Sequence, residues 1–197
     1  PNYKLVKRFA NKITSTKGNV FKLDKIFVPV NVGSTHWCML VAYVQQRRIQ
    51  YYDSFGGSGE QYLDAMKVFL ENEATKWADG GSVPQHLLDL NAWVLVRTQR
   101  ATTPQQNNCC DCGVFSCTFA NYISQDLELN FSCDNMLHFR QQITYDILHW
   151  DGSSGSALAL SSATAQSAEE FICRARNSKR QRQGASSFSF CSSSSRG

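Results

Sequence analysis

A chain of 197 residues, 42% hydrophobic and 18% charged, is long enough to bury one substantial core and too short for two independent ones. Its formal net charge of +4 argues against a whole-surface nucleic-acid footprint, because Arg174, Arg176, Lys179, Arg180 and Arg182 crowd into one run near the C-terminus and leave the rest close to neutral. No apolar run reaches the roughly 20 residues that a membrane-spanning helix needs.

Residues 1–20 read as a short helix, with Tyr3, Val6 and Phe9–Ala10 on its apolar face, followed by a polar loop through TSTKGN. KIFVPV (25–30) is rich in β-formers, and WCMLVAYV (37–44) is the nearly unbroken apolar run of a buried central strand. RRIQYYDS (47–54) follows across a short turn and reads as its hairpin partner; FGGSG (55–59) is loop chemistry. EQYLDAMKVFLENEATKW (60–77) repeats its apolar residues at helical spacing, and WVLVRTQ (93–99) reads as a further strand. CGVFSCTFANYIS (112–124) and CDNMLHFRQQITYDILHW (133–150) read as two more amphipathic helices. After Trp150 the composition turns to Ser and Ala, then to basic residues, then to Ser again. Residues 151–197 therefore read as a low-complexity, disordered tail with at most one short helix near 167–176. Its basic run gives the expectation of a nuclear location, shared with the cytoplasm. The eight cysteines are read as reduced thiols of an intracellular chain. The order α, β-meander, α, β, α, α defines an α+β domain with a small, mostly antiparallel sheet.

Chemistry concentrates in QQNNCCDCGVFSC (105–117), which admits three readings. Cys109 and Cys112 have the C-x-x-C spacing of a zinc site, but such a site usually takes two pairs, and neither Cys117 nor Cys133 belongs to a second one. A disulfide between the same two needs an oxidising setting or a redox role. The third reading is a nucleophile. Cys112 stands where polar loop becomes apolar helix. Asp111 is placed to cap that helix, and Gly113 clears the space beside the sulfur. The positive end of the helix favours thiolate over thiol, and the Cys112 N–H points outward, available to an oxyanion, with Gln106 as a second donor.

A thiol nucleophile needs a base, and the base an orienter. His36 lies at the mouth of the buried strand and Asp53 at the far end of its hairpin partner. Antiparallel strands joined by a tight turn put the start of one beside the end of the other, so the two are expected to be neighbours.

His36–Trp37 at the head of an apolar strand, Asp53 in YYDS, then Gln106, Asn108 and Asp111–Cys112–Gly113 resemble the pattern of the ubiquitin-like-protein-specific cysteine proteases, the SUMO-processing and deconjugating enzymes. YKLVKRFANKI, KIFVPVN, FANYIS and FRQQITYDILH are similar too, so the likeness covers residues 3–150. The resemblance implies a papain-like fold with the nucleophile at a helix N-terminus. It makes residues 1–150 a catalytic domain that lacks the first helices of the family domain. It implies that His36 is the general base, Asp53 its orienter and Cys112 the nucleophile, with Gln106 and the Cys112 N–H forming the oxyanion hole. Trp37, with Asn108 and Gly113, falls in the substrate-binding set, the indole lining a channel for the Gly-Gly tail of the modifier. The family usually has Gly and a small residue where this chain has Cys109 and Cys110. The implied reaction is cleavage after the C-terminal Gly-Gly of SUMO or a related modifier, in precursor processing and deconjugation, without a cofactor. The implied partners are the modifier and its conjugates, met by a monomer with no nucleic-acid or membrane partner. The alternative is a module of the same fold that holds the modifier without cutting it.

Overall fold

The computed structural model describes residues 3–81 and 83–149, so the tail expected at 151–197 lies outside the described residues. The chain divides into two compact units, Pro1–Met136 and Leu137–Gly197. In the first unit the elements run α1 (Tyr3–Asn11), β1 (Lys25–Val32), β2 (His36–Tyr43), β3 (Arg48–Tyr52), α2 (Glu60–Trp77), α3 (Gln85–Leu88), β4 (Val94–Val96) and α4 (Cys112–Ser124). The helix α5 (Met136–Leu148) begins at the boundary and lies almost wholly in the second.

The four strands form one sheet in the order β1-β2-β3-β4. The first two pairings are antiparallel, as expected of a meander, but β3 and β4 are parallel. Parallel neighbours need a long crossover, and α2 supplies it. β4 is three residues long rather than the seven its apolar run predicts. Beyond Val96 the side chains turn to other partners: Arg97 pairs with Glu60, and Thr98 donates its hydroxyl to the Tyr51 carbonyl at 3.0 Å. The short helix α3 was not foreseen; the Trp93 indole fastens to it through Nε1, 3.2 Å from the Leu87 carbonyl.

β2 is central and buried on both faces, which is why it reads as an apolar run without alternation. On one face Cys38, Leu40 and Ala42, with Val44 just past the strand and Ile49 and Tyr51 of β3, meet Leu63, Met66 and Leu70 of α2. Leu70 is fully buried there, and its truncation to Ala costs about 2–5 kcal/mol. On the other face the Tyr52 ring stands 5.6 Å from Phe119 of α4, and Phe131 lies 5.8 Å from Phe115. The Ser116 hydroxyl of α4 also donates to the Cys38 carbonyl at 3.0 Å, which ties the helix to the strand near its start.

Tyr3, expected only as part of an apolar face, also makes a polar latch. Its hydroxyl donates to Oε1 of the fully buried Glu73 at 2.6 Å, with Lys76 Nζ 3.5 Å from the other carboxylate oxygen. Burial, and then the bond to Glu73, push the Tyr3 hydroxyl up to about 12.

Candidate active site

The register of the hairpin sets the first half of the site. Met39 pairs with Tyr52, so β2 overshoots β3 and Asp53 falls beside the opening residues of β2. His36 Nε2 and Asp53 Oδ1 stand 2.7 Å apart, the neighbourhood that strand pairing predicts. The turn after Asp53 then folds back on its carboxylate: the Phe55 N–H donates to Oδ1 at 2.7 Å and the Gly57 N–H to Oδ2 at 3.0 Å. A Cβ at Gly57 would sit 2.5 Å from Oδ2, so only glycine lets the backbone approach that closely. Gly59, at φ +65, closes the turn where a side chain would run into the Tyr51 ring. With Nε2 committed to Asp53, the other ring nitrogen of His36, Nδ1, is buried and has no hydrogen-bond partner. The Phe55 ring packs on the imidazole at 4.7 Å between centroids. The loop reading of FGGSG gives Phe55 no role; its signal is an aromatic two residues past the aspartate in an otherwise glycine-rich turn.

The second half is built by the segment before α4. The Gln106 N–H donates to the Ser54 carbonyl at 2.9 Å, and the Ser54 hydroxyl donates to Gln106 Oε1 at 2.5 Å. Gln105 Nε2 reaches the Asp53 carbonyl at 3.3 Å. The loop is thereby sewn to the turn that carries Asp53. Sequence alone gives Ser54 no role, although it lies next to Asp53. Because the hydroxyl holds the Gln106 oxygen, the amide nitrogen is left to donate; one N–H goes to the Asn108 carbonyl at 2.5 Å, and a side-chain amide carries two.

Asn108, expected in the substrate-binding set, braces the loop. Its Oδ1 accepts from the N–H groups of Cys110 and Asp111 at 3.0 and 3.1 Å, and its Nδ2 donates to Asp111 Oδ2 at 2.7 Å. Asp111 occupies the N-cap position of α4 but makes no side-chain capping bond, contrary to expectation. Its carboxylate is held by Asn108, and its carbonyl accepts the Phe115 N–H at 2.9 Å. Cys112 is thus the first helical residue, whose N–H has no acceptor within the helix. Its thiol is free and mostly buried. Gly113 follows, and a Cβ there would meet Trp37 Cδ1 at 3.8 Å. The indole therefore stands beside the residue that follows Cys112, with 42% of Trp37 exposed.

Cys109 and Cys110 are exposed, and neither forms a disulfide. Among the described residues, the donors that converge are His36, Cys38 and Asp53, with facing atoms within 4.8 Å of one another; the C-x-x-C pair takes no part in that group. The chemistry available is thus acid–base and nucleophilic: a carboxylate-oriented imidazole, a buried thiol at the positive end of a helix, and the Gln106 amide in the loop that leads into that helix.

A helix-borne thiol on one side and a strand-borne His–Asp pair on the other define the papain-like class of cysteine peptidase folds. The model of the Ulp1 protease family, C-terminal catalytic domain, matches residues 2–151, and the chain belongs to that family. It is 31% identical over 146 residues to a sentrin-specific protease of Caenorhabditis elegans, a match covering 74% of this chain and 19% of that protein. It is 32% identical over 150 residues to sentrin-specific protease 2 of Pongo abelii, covering 75% of this chain and 23% of that one. The chain therefore spans about a fifth to a quarter of the length of these relatives. Among solved structures it is similar to the SUMO protease Ulp1 with its catalytic cysteine oxidised to a sulfonic acid. That match has a TM-score of 0.60 and 25% identity, and covers 74% of this chain and 61% of the other. It is also similar to the C-terminal Ulp1 protease domain in complex with SMT3, the yeast ortholog of SUMO, at TM-score 0.58 and 25% identity, covering 74% and 60%. The α+β fold is that of these Ulp1-like neighbours.

Proposed function

We propose that this chain is a cysteine peptidase that cuts after the C-terminal Gly-Gly of SUMO or a related ubiquitin-like modifier, both in precursors and in conjugates. The observation that carries the reading is the state of His36. Asp53 occupies Nε2 at 2.7 Å and leaves Nδ1 buried and unpartnered, the one ring nitrogen able to take a proton from Cys112.

In the proposed reaction His36 Nδ1 accepts the Cys112 proton, and the imidazolium is held by the Asp53 carboxylate. The thiolate attacks the carbonyl carbon of the second glycine. The oxyanion is received by the Cys112 N–H and by the second N–H of Gln106 Nε2, whose orientation Ser54 sets. His36 returns the proton to the departing amine, which leaves a thioester on Cys112. Water, activated by the same nitrogen, hydrolyses it and restores the thiol. Trp37 beside Gly113 forms a narrow approach that two residues without side chains can enter and bulkier ones cannot. The names of the relatives, sentrin-specific and SUMO proteases, support the choice of modifier. The chain acts as a monomer, without a nucleic-acid partner. A nuclear location is proposed from the basic run at 174–182, which lies outside the described residues.

The test is incubation of the purified chain with SUMO and ubiquitin carrying C-terminal vinyl sulfones, beside Cys112→Ser. A covalent adduct with SUMO that the variant fails to form is the expected result. An adduct with ubiquitin alone would overturn the modifier, and binding of SUMO without an adduct would replace hydrolysis by a holding role.

A further inference from the structure

Asp53 has one lone-pair site more than the bonds already described fill. A carboxylate offers about four such sites. His36 Nε2 and the Phe55 N–H take two on Oδ1, and the Gly57 N–H takes one on Oδ2. The remaining neighbour is Cys38. It lies two residues beyond His36 on β2 and therefore on the same strand face, and it is 1% exposed. Its sulfur lies within 4.8 Å of the facing atoms of His36 and Asp53, and the Tyr51 hydroxyl on β3 bears on it electrostatically.

An imidazole, a thiol and a carboxylate within 4.8 Å of one another would also be a plausible metal donor set. The geometry argues otherwise. Two donors on one tetrahedral zinc stand about 3.3 Å apart, given bonds of roughly 2.0–2.1 Å. His36 Nε2 and Asp53 Oδ1 are 2.7 Å apart, closed on each other through a proton.

We propose that Cys38 is a positioning residue of this site: its S–H donates to the Asp53 carboxylate and keeps Oδ1 turned to His36, while the Tyr51 O–H donates to the Cys38 sulfur. The inference rests on the peptidase reading for its purpose but not for its test. Burial pushes the Cys38 thiol up to about 12, with the bond to Asp53 acting in the same sense and Tyr51 against it, so the thiol keeps its proton at neutral pH and is a donor. Tyr51 is likewise pushed well up, by burial first and then by the bond to Cys38. The groups that bear on Cys38 are Tyr51 on β3, Asp53 beyond it, Cys112 on α4 and His36 on its own strand. A thiol is a weak donor. It can therefore fix the carboxylate's orientation while drawing little charge away from the face that holds His36.

The experiment follows alkylation of Cys112 by iodoacetamide as a function of pH, read by peptide mapping so that the other thiols do not contribute. It needs no knowledge of the modifier, so failure to cut SUMO leaves it intact. Cys38→Ala removes the donor, and Cys38→Ser installs a stronger one at nearly the same size. With the donor gone the Asp53 charge is less shared, and the alkaline limb of the Cys112 profile moves to higher pH. With a hydroxyl in its place the limb moves to lower pH. Tyr51→Phe, which keeps the packing, moves it in the same sense as Cys38→Ala and by less. Where turnover is measured, Cys38→Ala lowers kcat about tenfold, the factor one ordinary hydrogen bond carries, with KM unchanged. Opposite displacements by Ala and Ser support the proposal, since lost packing alone would not reverse sign. Limbs that coincide with the parent, or that move the same way in both variants, overturn it. Should Cys38→Ala fail to fold, Cys38→Ser and Tyr51→Phe decide: opposite shifts support, and no shift or parallel shifts refute.

Discussion

His36 and Asp53 sit at the ends of two strands joined by a hydrogen-bonded ladder, whereas Cys112 sits where a loop without regular structure runs into α4. In the first region the backbone does the positioning. The register from Met39–Tyr52 to Tyr43–Arg48 places Asp53, and two N–H groups of its own turn hold the carboxylate. In the second region side chains do it. Ser54 orients Gln106, Asn108 gathers two N–H groups and the Asp111 carboxylate, and Ser116 anchors the helix to β2. A ladder survives the loss of one side chain. A loop held by three or four side-chain bonds does not hold its shape as well, so single substitutions there should reach the chemistry more readily.

The largest expected effect separates the two halves outright. Cys112→Ser should lower hydrolysis by a factor on the order of 10^4 or more, since the parts of such a site act as a unit. Its thermal melting should stay near that of the parent, because the thiol is not part of the scaffold. Next comes the loop. Gln106→Ala should cost about 10^2–10^3 in kcat as a lost oxyanion donor. Ser54→Ala, which leaves the amide present but unheld, should cost about tenfold, one hydrogen bond's worth. A Ser54→Ala variant with unchanged kcat would break the claim that side chains position this half. Asn108→Ala should destabilise by about 1–3 kcal/mol in denaturant unfolding, through loss of its bonds to two loop N–H groups and to the Asp111 carboxylate. The smallest effect lies away from both halves. Tyr3→Phe should lower stability by about 1 kcal/mol and leave kcat alone. Because the folded chain holds the Tyr3 proton up to about pH 12, its share of stability is present below about pH 10 and fades as pH rises through about 12. That alkaline loss should be smaller in Tyr3→Phe.

The same contrast explains what could be read in advance. Strand pairing is local, so the neighbourhood of His36 and Asp53 followed from the two apolar runs and the short turn between them. The loop half showed only its residue types. Gln106 and Asn108 stood out, but that one presents its amide and the other turns inward to brace its own turn depends on Ser54 and on backbone N–H groups no pattern displays. Asp111 was expected to cap α4 and instead holds Asn108, because both compete for one carboxylate in a four-residue turn. WVLVRTQ looked like a full strand because its apolar residues pack, yet only Val94–Val96 joins the ladder before Arg97 turns to Glu60. Parallel pairing of that strand was likewise invisible locally, since it depends on the path of α2.

Trp37 gives the site its own optical reporter. Of the tryptophans within the described residues, Trp93 is buried with its Nε1 on the Leu87 carbonyl and Trp77 lies partly covered at the end of α2, while Trp37 stands half in solvent beside Gly113. Its emission in the empty chain is therefore that of a wet indole. A Gly-Gly tail bound there as proposed would displace that water, so its binding should appear as a blue shift from one residue, visible in Cys112→Ser where no bond is cut.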